Sequence, residues 1–87
     1  MDPNTDRVGA LNLWDVPVFV RIGRGLTETV DGPHEALAYL SNRWPAERGD
    51  HYERAKVACT DVLERYGSLA EAREAFIAAA IEVHILA

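Results

Sequence analysis

Pro17-Val18-Phe19-Val20-Arg21-Ile22-Gly23-Arg24-Gly25-Leu26-Thr27-Glu28-Thr29-Val30 decides the fold class of this chain. Val18, Val20 and Ile22 alternate with Phe19 and Arg21, the period of a strand with one buried face. Pro17 suits a first strand position, where a missing N–H costs least. Gly23-Arg24-Gly25 supplies a short turn whose glycines reach positive φ without strain. Leu26, Glu28 and Val30 then alternate with Thr27 and Thr29, and β-branched residues favour a pleated surface. The reading is an antiparallel β-hairpin over 17–30.

Everything after the hairpin has helical period. Asp31-Gly32-Pro33-His34-Glu35 is a helix start, since Pro and an early Glu both suit the free N–H groups of a first turn. Ala36, Leu37, Leu40 and Trp44 mark one face, and Pro45 ends the helix by pushing Trp44 out of the α region. Asp50 is the expected cap of a second helix, with Glu53 completing a capping box. Tyr52, Ala55, Cys59, Val62 and Tyr66 form its buried stripe, and Gly67 is the expected C′ residue. Ser68-x-x-Glu71 opens a third helix at once. The fold class is therefore α+β, a hairpin followed by three helices in the order ββααα. Residues 1–12 read as a flexible arm and 13–87 as one domain, with Leu11, Leu13 and Trp14 available to pad the edge of its core.

The totals agree with a single small domain. The chain has 87 residues, 48% hydrophobic and 26% charged, which suits a globular fold and argues against disorder. Fourteen acidic against nine basic residues give a net charge of -5, which disfavours nucleic acid and anionic membrane as main partners. Cys59 is the one cysteine, so no internal disulfide can form and a reducing compartment is expected. The start, Met1-Asp2-Pro3-Asn4-Thr5-Asp6, lacks the basic and apolar regions of a signal peptide, and no run has the length of a membrane span. The expected location is the cytoplasm.

The third helix is more apolar than one neighbour can cover. Ala75-Phe76-Ile77-Ala78-Ala79-Ala80-Ile81 carries no polar side-chain atom. At about 100° per residue, Leu69, Ala72, Phe76, Ala80 and Val83 share one face, widened by Ala79 and Leu86. Ile77, Ile81 and Ile85 form a second row about 140° away. The first face suits the core of the domain. The second is the candidate interface, covered either by the hairpin of the same chain or by a second copy, and a homodimer is the expected state. Val83-His84-Ile85-Leu86 offers an alternative: its β-branched residues suit an extended tail that adds to a sheet edge.

No set of residues forms a recognisable catalytic or metal-binding pattern. Cys59 on the buried stripe reads as a small apolar filler rather than a nucleophile. His34, His51 and His84 lie on different elements without metal-ligand spacing. Gly23-Arg24-Gly25 lacks the helix and lysine of a phosphate loop. A helix-turn-helix reading would place Glu71, Glu74 and Glu82 with Arg73 alone on the groove-reading helix, which disqualifies it. The expectation is no enzyme, no cofactor and no metal. Arg43, Trp44, Arg48 and Tyr52 make an aromatic-basic patch that could hold a small anionic ligand. The plainer reading of the same residues is a Trp anchored over the core with solvated arginines around it.

The ordered combination of the Val-rich strand, the glycine turn, Trp44-Pro45, Tyr52-x-x-Ala55, Ala58-Cys59 and Arg73-x-x-Phe76-Ile77-x-Ala79-Ala80 resembles the small bacterial family filed as domain of unknown function 982, frequent in rhizobia. The resemblance covers about residues 16 to 85. It implies a compact α+β domain and brings no catalytic or cofactor residue with it. His84 departs from the pattern, where a small residue is expected. The function expected on all these grounds is a non-enzymatic interaction or regulatory module acting as a homodimer, with a protein partner. A small-ligand-binding domain around Trp44 is the alternative.

Overall fold

The computed structural model describes residues 12–87. The arm expected over 1–12 therefore lies almost wholly outside the described residues. The elements are β1 (Val18–Val20), β2 (Glu28–Val30), α1 (Pro33–Asn42), α2 (Asp50–Leu63) and α3 (Leu69–Glu82), the ββααα order expected. β1 and β2 pair antiparallel, with Val18 opposite Val30, Phe19 opposite Thr29 and Val20 opposite Glu28. The three valines are buried and Phe19 and Thr29 exposed, so the alternation holds where the strands exist.

The strands are shorter than their pattern. In the register of the ladder, Ile22 would pair with Leu26. The Ile22 carbonyl instead accepts from the Gly25 amide at 3.4 Å, Gly23 takes φ +65°, and the Arg21 guanidinium donates to the Gly25 carbonyl at 2.9 Å. That local turn ends the pairing at Val20 and Glu28. Leu26, which by alternation shares the side of Glu28 and Val30, is consequently 87% exposed.

β1 has a partner on its other edge as well. The chain leaves α3 at Glu82, and the tail returns along β1. The Arg21 amide donates to the Ile85 carbonyl at 2.8 Å and the Ala87 amide to the Phe19 carbonyl at 2.9 Å, bridging Val20 to Leu86. The extended-tail alternative is the one realised. Its cause is visible at His84, whose φ of 60° breaks the helix. The His84 amide bonds the Ile81 carbonyl and the Ile85 amide the Ala80 carbonyl, which is a Schellman motif with Ile85 just past its end.

α2 ends in the same way. Arg65, not Gly67, takes the left-handed conformation, with φ 70°. The Arg65 amide bonds Val62 and the Tyr66 amide bonds Asp61. Tyr66, expected on the buried stripe, lies beyond this turn and is exposed. Gly67 has a different role: a Cβ there would meet the Asp61 Cβ at 3.0 Å and the Val62 nitrogen at 3.2 Å, so glycine permits the close approach of the linker to α2.

The helix starts follow the expectation in part. Pro33 stands in the first turn of α1, and the Glu35 carboxylate accepts from the Asp31 amide at 2.9 Å. Ser68 caps α3 by accepting from the Glu71 amide at 3.2 Å. The box expected at Asp50 is not made. The cap of α2 is Gly49, and Asp50 sits inside the first turn. The Glu82 carboxylate occupies the space where a Cβ of residue 49 would stand, so an acidic group from the far end of α3 lies at the positive end of α2.

The core is apolar throughout, with no buried polar or charged residue among those described. Phe76 is its centre, fully buried, with ring centroids 6.0 Å from Trp14 and 5.6 Å from Trp44. Truncating it to Ala should cost about 3–5 kcal/mol, the range for aromatic cavities. Small residues, Ala55 and Cys59 on α2 with Ala72, Ala79 and Ala80 on α3, let these two helices pack closely. Trp14 belongs fully to this core, held by its indole N–H on the Leu69 carbonyl at 2.9 Å.

Candidate functional site

The four residues of the aromatic-basic patch separate into a buried pair and an exposed pair. Trp44 follows α1 directly, is 6% exposed and packs between Phe76 and Tyr52. Its Nε1 is buried without a hydrogen-bond partner. Tyr52, in the first turn of α2, is buried, and its hydroxyl donates to the Leu40 carbonyl at 2.9 Å. Neither ring offers a stacking face of the kind the ligand reading needs. Arg48 lies over the Tyr52 ring at 4.8 Å from its centroid, and Lys56 at 5.5 Å, so two cations already lie against this ring.

Arg43 points elsewhere. Its guanidinium grips the Glu28 carboxylate with two bonds of 2.5 and 2.6 Å, and the Tyr39 hydroxyl donates to the same carboxylate at 2.8 Å. The guanidinium also lies 4.8 Å from the Tyr39 ring centroid. The bond from Arg43, then that from Tyr39, hold the Glu28 carboxyl down at about 2. Burial, together with the bond to the Glu28 carboxylate, raises the Tyr39 hydroxyl above its usual range. This network ties α1 to β2. Sequence reasoning missed it, although Tyr39 and Arg43 stand four apart on one helix face and Glu28 is the one acid of its strand.

The isoleucine row does not survive as a row. Ile85 is past the helix and 5% exposed, inside the core of its own chain. Ile77 is half-buried and packs against that core, and only Ile81, at 55%, faces outward. Only a continuous helix to residue 86 would align the three side chains, and the turn at His84 prevents it. His34, His51 and His84 are all exposed and separate. Among the described residues no group of three or more His, Cys, Asp or Glu could hold a metal ion, and no helix is long and apolar enough to cross a membrane. Cys59 is fully enclosed, and burial pushes its thiol up to about 12.

Two shallow grooves flank the N-terminal half of α3. One, of about 320 Å³, runs between residues 13–16 and α3, where Leu13 and Val16 are exposed beside Leu69. The Arg73 guanidinium crosses it to the Val16 carbonyl at 2.8 Å. The other, of about 310 Å³, lies between α2 and the start of α3, over Val57 and Ala58. Neither was expected, because each is formed by segments distant in sequence. The exposed Leu13, Val16 and Val57 were the available signal.

A two-stranded hairpin closed by its own C-terminal tail, three helices, and exposed aliphatic side chains beside an apolar core define a small α+β domain in which α3 packs on both the minimal sheet and the other helices. The chain belongs to the family DUF982, proteins of unknown function, whose pattern matches residues 16–87. It is similar to the NMR structure of Agrobacterium tumefaciens protein Atu1219, a Northeast Structural Genomics Consortium target, with 32% identity and a TM-score of 0.74. That match covers 88% of this chain and 79% of the Agrobacterium one. No curated protein matches the chain.

Proposed function

We propose that this domain is a non-enzymatic protein-interaction module that acts as a homodimer in the cytoplasm, in a regulatory role. The observation that carries the reading is the pair of grooves beside α3, bordered by exposed Leu13 and Val16 on one side and exposed Val57 on the other. Leu13, Val16 and Val57 thus stand beside one element, with Ile81 at its far end, while Phe19, Leu26, Tyr66 and Leu86 are exposed elsewhere. Gathered apolar surface marks interaction sites, whereas single exposed aliphatic residues do not. The reactive candidates are engaged inside the fold: Cys59 by burial, Arg43 by Glu28, and Trp44 by Phe76. Sedimentation equilibrium at micromolar concentration tests the proposal. A dimer is the expected result, and a monomer at every concentration up to hundreds of micromolar overturns it.

A further inference from the structure

Leu26 stands at 87% exposure beside a loop that is not loose. The Ile22–Gly25 turn and the Arg21–Gly25 bond hold the tip, so the leucine is presented on an ordered support with Arg21 and Arg24 nearby in sequence. The groove between α2 and α3 is lined by the apolar Val57 and Ala58 and by three carboxylate residues, Glu53, Asp61 and Glu71, against one cation, Arg54. Val57 is 59% exposed there. A cavity of about 310 Å³ is at the lower end for a small-molecule site and suits one branched side chain with part of its loop.

We infer that the Leu26 tip of one copy fills the α2–α3 groove of a second copy, with Arg24 meeting its acidic lining. The inference rests on the homodimer reading and names its contact. Charge selects this groove over the other: Asp15 and Arg73 cancel beside Leu13 and Val16, whereas the α2–α3 lining carries a surplus of negative charge that a basic tip answers. Leu26 does not reach the groove of its own chain, as its exposure shows. In a two-fold dimer each copy offers one tip and one groove, so the contact is made twice.

The experiment is sedimentation equilibrium of the full chain and five variants, each first shown by thermal unfolding to fold like the parent. Leu26 and Val57 are exposed, so Leu26→Ser and Val57→Ser leave the monomer intact. Each should raise the dimer Kd about tenfold or more, the equivalent of losing one buried aliphatic contact on each side. Arg24→Glu should also weaken the dimer, and Arg24→Glu combined with Asp61→Lys should restore it. A parent chain that is monomeric overturns the homodimer reading itself. A dimer whose Kd is unchanged by Leu26→Ser, or one weakened by Val16→Ser instead, leaves that reading standing and overturns this contact. Failure of the charge swap to restore association overturns it equally.

Discussion

The Ile85 amide donates to the Ala80 carbonyl at 2.9 Å, and this bond turns the chain out of α3 and into the core. Without it, Ile85 would continue the row of Ile77 and Ile81 on the outside of a longer helix. With it, Ile85 is enclosed and its carbonyl takes the Arg21 amide of β1. One C-terminal turn therefore decides both which isoleucine is internal and what covers the free edge of β1.

Ile85 and Ile81 should accordingly behave as opposites. Ile85→Ala empties enclosed volume and should lower unfolding free energy by about 2 kcal/mol or more. Ile81→Ala should change it by no more than about 0.5 kcal/mol, as at other exposed positions. Urea denaturation of the two variants checks this. Equal effects would mean that residues 83–87 continue the helix.

Arg65 and His84 hold positive φ without being glycine. Left-handed backbone is strained for a residue with a Cβ, so Arg65→Gly and His84→Gly should each stabilise the domain, by about 0.5–1 kcal/mol after glycine's greater unfolded-state freedom is deducted. The measurement is the urea midpoint, and a lower midpoint for both variants would refute the strain argument.

Glu28 links stability to acid pH. Its carboxyl is held at about 2 against an ordinary value of 4.5. A depressed carboxyl stabilises the fold fully above the unfolded value and loses that contribution as pH falls through the folded one. The parent chain should therefore lose stability between about pH 4.5 and 2, and Glu28→Gln should show a shallower slope in that window. Because the pair is open to water, the effect should also shrink with added salt. Thermal unfolding across pH 2–6 at two ionic strengths is the check.

Cys59 works in the alkaline range. Burial raises its thiol from 9.0 to about 12, so the folded state keeps the proton that the unfolded chain releases. A raised value stabilises below the unfolded pKa and loses that contribution as pH climbs through the folded one, here from about 9 toward 12. The native protein should resist a thiol reagent at pH 8 and react promptly in denaturant, because the reactive form is the thiolate. Rapid labelling of native protein would show that α2 opens at Cys59.

The hairpin, the three helices and their order were legible because each rests on local patterns: alternation at 18–20 and 28–30, the 3–4 spacing of Tyr52, Ala55, Cys59 and Val62, the first-turn Pro33 and the cap at Ser68. The buried face of α3, Ala72-Phe76-Ala80, was legible for the same reason. Periodicity overreached at the ends of elements. Leu26, Tyr66 and Leu86 each continue a pattern by spacing, yet the turns at Gly23, Arg65 and His84 intervene and leave all three exposed. Two of those turns have no glycine to announce them.

The candidate site divides along the same line. Burial of Trp44 and Tyr52 followed from residue type and helix phase, both of which the chain carries locally. The capture of Arg43 by Glu28, the grooves at Leu13–Val16 and at Val57, and the carboxylate of Glu82 over Gly49 join segments far apart in sequence. No local propensity encodes such meetings. They follow from how α2 and α3 pack on small residues and from the tail docking on β1, since burial of Ile85 and pairing of a strand edge outweigh the one further helical turn that residues 83–87 could have made.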